Sequence, residues 1–143
     1  MPKKVTPPAW KKAGNTDRWT EILFRALSAR VANRWRFVSF RGAGGGEWRG
    51  IVDVLAIRKD TSPSDHHLLK SGDLFDIVLV QMKGGSARMP SPGDMQRLQV
   101  VARRYRAKAI VLFEWRRGER RSCTFKRWSR GEWHEVSAVE VFG

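Results

Sequence analysis

Phe75–Gly85 reads FDIVLVQMKGG. An apolar run of this length, rich in β-branched residues and closed by paired glycines, predicts a core strand over Leu74–Lys83. The run nevertheless ends on Gln81 and Lys83 with one methionine between them, and a buried strand has no use for an amide or an ammonium unless something pairs with them. Side chains alternate faces along a strand, so Ile77, Leu79, Gln81 and Lys83 point one way while Asp76, Val78, Val80 and Met82 point the other. Whatever meets Gln81 and Lys83 must therefore lie on the Ile77–Leu79 face.

Upstream, Gly50–Arg58 reads GIVDVLAIR and predicts a second strand. Ile51, Asp53, Leu55 and Ile57 share one of its faces, which puts a single carboxylate into an apolar row. If the two strands pair, Asp53 sits beside Gln81 and Lys83. The intervening KDTSPSDHHLLKSGD is loop by composition. Further back, Trp35–Phe40 (WRFVSF) predicts a short strand, and RGAGGGEWRG predicts a glycine-rich connection from it. Thr16 has the chemistry of a helix N-cap with Asp17 in the first turn. Ile22, Leu23, Ala26, Leu27 and Ala29–Val31 then give an apolar stripe to about Asn33, with Glu21 one turn in.

Downstream, Pro90, Pro92 and Gly93 break the chain. A second helix follows over Asp94–Tyr105, where Met95, Leu98, Val101 and Ala102 recur at helical spacing. Ala109–Trp115 (AIVLFEW) predicts a strong strand, and two further strands are expected around Ser122–Trp128 and Trp133–Val141, separated by Ser129–Glu132. The order α-β-β-β-α-β with a β-rich C-terminal tail predicts an α/β fold, a mixed central β-sheet flanked by helices. Residues 1–15, with three prolines and four lysines, are expected to form a flexible basic N-terminal arm. Residues 16–143 are expected to form a single domain.

Composition narrows the partners. A chain of 143 residues, 41% hydrophobic, can bury one real core. Lys and Arg number 28 against 14 Asp and Glu, a formal charge of +14, which points to a polyanion. Seven tryptophans and so apolar a strand argue against a passive basic passenger. Nucleic acid is favoured over a membrane, because no apolar run approaches ~20 residues. One cysteine, Cys123, excludes an internal disulfide and fits a reducing, cytoplasmic setting, and with three histidines it offers no zinc-ligand spacing. The glycine loop lacks the GK[ST] ending of a phosphate-binding loop, which argues against nucleotide hydrolysis.

The combined pattern resembles the PD-(D/E)XK nuclease superfamily, closest to its archaeal-type Holliday-junction resolvase branch. The likeness spans roughly Thr16 to Trp115. It rests on a helix with an early Glu, RG before a glycine-rich segment, G-x-x-D-V-x-A, and an apolar strand ending Q-x-K before helix and strand. The resemblance implies a restriction-endonuclease-like core and a DNA endonuclease dependent on Mg²⁺ or Mn²⁺, acting on branched or duplex DNA. It also implies a homodimer, since two symmetric nicks need two sites. Residue by residue, Asp53 matches the metal-binding aspartate, Gln81 the second acidic position, Lys83 the lysine and Glu21 the first-helix glutamate. Gln96 falls where members carry a supporting polar residue. Asp53, Gln81 and Glu21 would hold the metal, and Lys83 would offset charge on the phosphate.

There are two departures. Val52 stands where a proline is usual, which touches backbone rather than chemistry. Gln81 replaces an acid, so the site has one negative charge fewer and should hold Mg²⁺ less tightly. Asp76 is the second-choice ligand, on the opposite face by parity. The alternatives are a weak or inactive nucleic-acid-binding module of the same fold, and a restriction or mobile-element nuclease.

Further residues divide between DNA contact and simple solvation. Arg103, Arg104 and Arg106, with Arg116, Arg117, Arg120 and Arg121, are dense enough to track a phosphate backbone. Arg41 and Arg49 flank the glycine loop as phosphate contacts or ordinary hairpin residues, and Glu47 within it reads as a solvated carboxylate. His66 and His67 read as a solvated pair. Trp115, Trp128 and Trp133 could stack on unpaired bases, although burial is expected for at least two of them.

Overall fold

The computed structural model describes residues 20–31, 34–40, 50–84, 89–116 and 123–143. The expected arm, Arg41, Glu47, Arg49, Arg117, Arg120 and Arg121 lie outside the described residues. Among those described, three helices pack on a six-stranded sheet. The helices are α1 (residues 20–29), α2 (Pro92–Arg104) and α3 (Ala138–Phe142). The strands are β1 (Arg36–Ser39), β2 (Val54–Asp60), β3 (Leu74–Gly84), β4 (Ala109–Trp115), β5 (Cys123–Ser129) and β6 (Glu132–Val136). They lie side by side in chain order.

The sheet is mixed because one connection differs from the rest. β1–β2, β2–β3, β4–β5 and β5–β6 are antiparallel, whereas β3 and β4 run parallel with α2 as the crossover that a parallel pair requires. Parallel strands covered on both faces carry continuous apolar runs, and β3 and β4 do. In β4, residues 110–114 are all buried. The predicted strand parity holds. Val78, Val80 and Met82 join Val54, Val111 and Phe113 on one face, under α1 and α3. Ile110 meets Met95 and Leu98 of α2 on the other.

Aromatic rings fill the first layer. Phe24 of α1 stands edge-on to Phe37 and Phe113, with centroids 5.3 and 5.5 Å away. Phe142 of α3 makes the same kind of contact with Trp35 at 5.5 Å. Such pairs add about 0.5–1.5 kcal/mol each beyond the area they bury.

Besides α2, which starts at Pro92 rather than Asp94 and takes Pro92 and Gly93 into its first turn after the Ser91 cap, two boundaries depart most from expectation. The expected strand Trp133–Val141 ends at Val136, and α3 follows. Ser137 and Glu140 form a capping box, the Ser137 Oγ accepting from the Glu140 N–H and Glu140 Oε1 accepting from the Ser137 N–H. The helix also lets adjacent Val141 and Phe142 join the same core cluster, whereas strand alternation would send them to opposite faces of the sheet. The second correction is that β2 begins at Val54 rather than Gly50, for a reason that lies at the candidate site.

Candidate functional site

Asp53 sits one residue before β2 and is stitched to both neighbouring strands. Its N–H donates to the Val80 carbonyl at 3.1 Å, and its own carbonyl accepts from the Phe40 N–H at 3.1 Å. Its Oδ2 accepts from the Met82 N–H at 2.7 Å. A side-chain oxygen thus takes the Met82 N–H, and regular β2 pairing starts at Val54 opposite Val80. The length is typical of a charge-assisted bond. The carboxylate is held on the backbone of the residue between Gln81 and Lys83, so the fold brings Asp53 to that stretch of β3.

Gln81 is 5% exposed, and its Oε1 has no hydrogen-bond partner among the described residues. An orphaned buried acceptor costs about 1–3 kcal/mol, and native folds tolerate few of them. An amide oxygen and a carboxylate are hard oxygen donors of the kind Mg²⁺ and Mn²⁺ take. The orphaned Oε1 therefore fits such an ion. Among the described residues no three His, Cys, Asp or Glu side chains cluster as a metal group. The donor set here is smaller and counts an amide.

Lys83 is partly buried at the end of β3, and the parallel register sets it beside Glu114 of β4. No pattern local to the sequence assigns Glu114 a role. It is 6% exposed, accepts from Lys126 Nζ at 3.4 Å through Oε1, and pairs with Arg116 Nε at 3.7 Å through Oε2. An acid interrupting AIVLFEW was the available signal, but its partner stands on β5 and is invisible before the register is known.

The other candidates separate from this cluster. Glu21 belongs to α1, which packs through Phe24 on the opposite face of the sheet, and it pairs with Arg25 at 3.3 Å. Asp76 also lies on that opposite face, as parity required, and pairs with Arg58 at 3.1 Å and Lys108 at 3.9 Å. Gln96 is exposed on α2 and lines a groove with Gly50, Ile51 and Gly93. Arg103 and Arg104 are exposed in the last turn of α2, where they also offset the negative end of the helix dipole. Arg106 is exposed just beyond, with φ 50°.

Trp128 and Trp133 stand edge-on to each other at 5.2 Å and, partly buried, pack against the Met95–Leu98–Ile110 cluster. Trp115 is partly buried at the end of β4. His66 and His67 are exposed and stacked at 4.9 Å in the β2–β3 loop. No described helix is long and apolar enough to cross a membrane. No protein-family model, no curated protein and no solved structure matches this chain.

Proposed function

We propose that the chain is a divalent-metal-dependent DNA endonuclease of the restriction-endonuclease-like class, acting on branched DNA. The observation that carries this reading is the Asp53 carboxylate fixed between Gln81 and Lys83 by the Met82 N–H, beside an orphaned Gln81 Oε1. Asp53 and Gln81 would hold Mg²⁺ or Mn²⁺. When bound, the ion would polarise a phosphate oxygen and lower the pKa of a bound water. Asp53 is pre-positioned for that task at no further entropic cost, because its side chain is already tied to β3. Lys83, at the rim of the same face, offers an ammonium to the negative charge that builds on the phosphate. The excess of 28 cationic side chains over 14 anionic ones supports a polyanionic substrate.

The deciding experiment incubates the full chain with a four-way junction, linear duplex and supercoiled plasmid, each with Mg²⁺, Mn²⁺ or EDTA. Nicking that requires the ion and is strongest on the junction is expected. Tight binding to all three without any cleavage would replace the nuclease reading with that of a non-catalytic nucleic-acid-binding module. Cleavage of the linear duplex at one sequence would move it to a restriction-type enzyme.

A further inference from the structure

Glu114 is the buried ionisable group that the proposed chemistry leaves unused. Its side chain is 7% exposed in the middle strands of the sheet, and burying a carboxylate there is costly unless cations accompany it. Two partners do: Lys126 on one oxygen and Arg116 on the other. Lys83 is its register neighbour on β3. Two cations therefore engage one carboxylate while a third stands beside it in the register, a local surplus of positive charge on the face that carries Gln81. Apolar residues of similar volume would serve packing alone at least as well as a buried ion pair. What Glu114 adds is a fixed position for its cations.

Lys126 is the informative one. It stands on β5 opposite Leu112, so it rises from the same face as Lys83 and Gln81. Its side chain is 29% exposed, which leaves the ammonium able to meet a ligand while Glu114 holds it. Strands two apart in a sheet are separated by roughly 10 Å, so Lys83 and Lys126 bracket a stretch of sheet surface with Glu114 between them.

Resting on the nuclease reading above, we infer that Lys126 is a second phosphate-binding cation, contacting a phosphodiester that flanks the one at Lys83. Glu114 is its positioning residue. The site would thereby extend from β3 across β4 to β5 and grip the nucleic-acid backbone on more than the reacting phosphate. Each lysine that meets a phosphate adds about one unit to the salt slope of binding.

The test measures binding of a labelled four-way junction by anisotropy in EDTA, across a series of salt concentrations. Wild type is compared with Lys126→Ala, Lys126→Arg and Glu114→Gln. Lys126→Ala should weaken binding about tenfold and flatten the salt slope by about one, Lys126→Arg should restore both, and Glu114→Gln should fall between. Because Lys126→Ala leaves Glu114 without its closest cation, the double variant Lys126→Met with Glu114→Gln, which removes both charges together, gives the same readout if the single variant does not fold. A folded variant with unchanged affinity and slope would overturn the inference. Mn²⁺ titration by calorimetry keeps the two proposals apart. If Lys126→Ala flattens the slope while wild type binds no Mn²⁺ and cuts nothing, the phosphate contact stands and the nuclease reading falls. If wild type binds Mn²⁺ and cuts, while Lys126 leaves the slope untouched, only this inference falls.

Discussion

β3 begins beside Asp76 and ends beside Lys83, and its two ends treat polar groups in opposite ways. At the start, Asp76 is engaged by Arg58 and Lys108, Arg58 also lies over the Trp35 ring at 4.5 Å, and Asp60 is held by Ser62. Each of these charges has a partner nearby. At the end, Gln81 Oε1 has none among the described residues, and cations outnumber the one buried glutamate. Both ends sit on one strand, the first paired with β2 and the last with β4. Charge count alone would not separate them, because the first end is also rich in arginine and lysine. What separates them is the satisfaction of their oxygen acceptors: Asp76 and Asp60 are engaged, and the buried orphan at that end, Trp35 Nε1, is a donor that takes no cation, whereas the orphaned Gln81 Oε1 calls for one.

The sharpest way to break that contrast is to remove charged groups from each end in turn. Asp53→Ala and Lys83→Ala should each lower junction cleavage by at least about 10²-fold, the scale on which preorganised electrostatic groups act. Asp76→Ala should leave cleavage within a few-fold of wild type. Single-turnover rates at saturating DNA make the measurement independent of binding. An inactive Asp76 variant beside an active Asp53 variant would reverse the roles of the two ends.

Gln81→Glu sharpens it from the other side. Restoring an anionic oxygen with nearly the same shape should tighten Mn²⁺ and Mg²⁺ binding about tenfold and lower the ion concentration needed for half-maximal cleavage. Superimposable metal titrations for the two proteins would mean that Gln81 does not face an ion, and its orphaned oxygen would need another explanation.

The Asp76 end should instead report in stability. Asp76→Ala strands Arg58 and Lys108, and with Asp76 and Arg58 both partly buried a loss of about 1–2 kcal/mol is expected, a few degrees in Tm. Gln81→Leu, which removes the orphaned amide in favour of an apolar side chain, should leave Tm unchanged or raise it. A large fall in Tm for Gln81→Leu would show that the amide is already satisfied.

The sequence made part of this legible, and the reason is geometric. Strand parity in FDIVLVQMK placed Gln81 and Lys83 together and set Asp76 apart, because alternation survives any tertiary arrangement. The mixed α/β layout followed from the same periodicities. Asp53 was read as facing its partners, but its bond to the Met82 N–H depends on how β2 enters the sheet, and no local pattern encodes that. Glu114 and Lys126 stayed hidden because their meeting depends on the β4–β5 register. EWHEVSAVEVF alternates well enough for a strand, and only the Ser137-x-x-Glu140 cap marks the last helix.

The smallest expected effect belongs to Asp60 and concerns pH. The Ser62 hydroxyl and then the Ser62 N–H donate to its carboxylate, with Lys108 and Arg58 adding weaker attraction, and together they hold its pKa below the ordinary value of 3.8. A depressed carboxylate stabilises the fold above its unfolded pKa, and the contribution is lost as pH falls through the lower folded value. Asp60→Asn keeps an oxygen acceptor for Ser62 but removes the charge, so the variant should melt slightly below wild type at pH 7. Stepping the melts down through pH 3.8 should close that gap, because wild type then protonates as well. A gap that stays constant to the lowest pH would trace to packing rather than charge, and the Asp76 end of β3 would owe less to its ion pairs than to the residues beneath them.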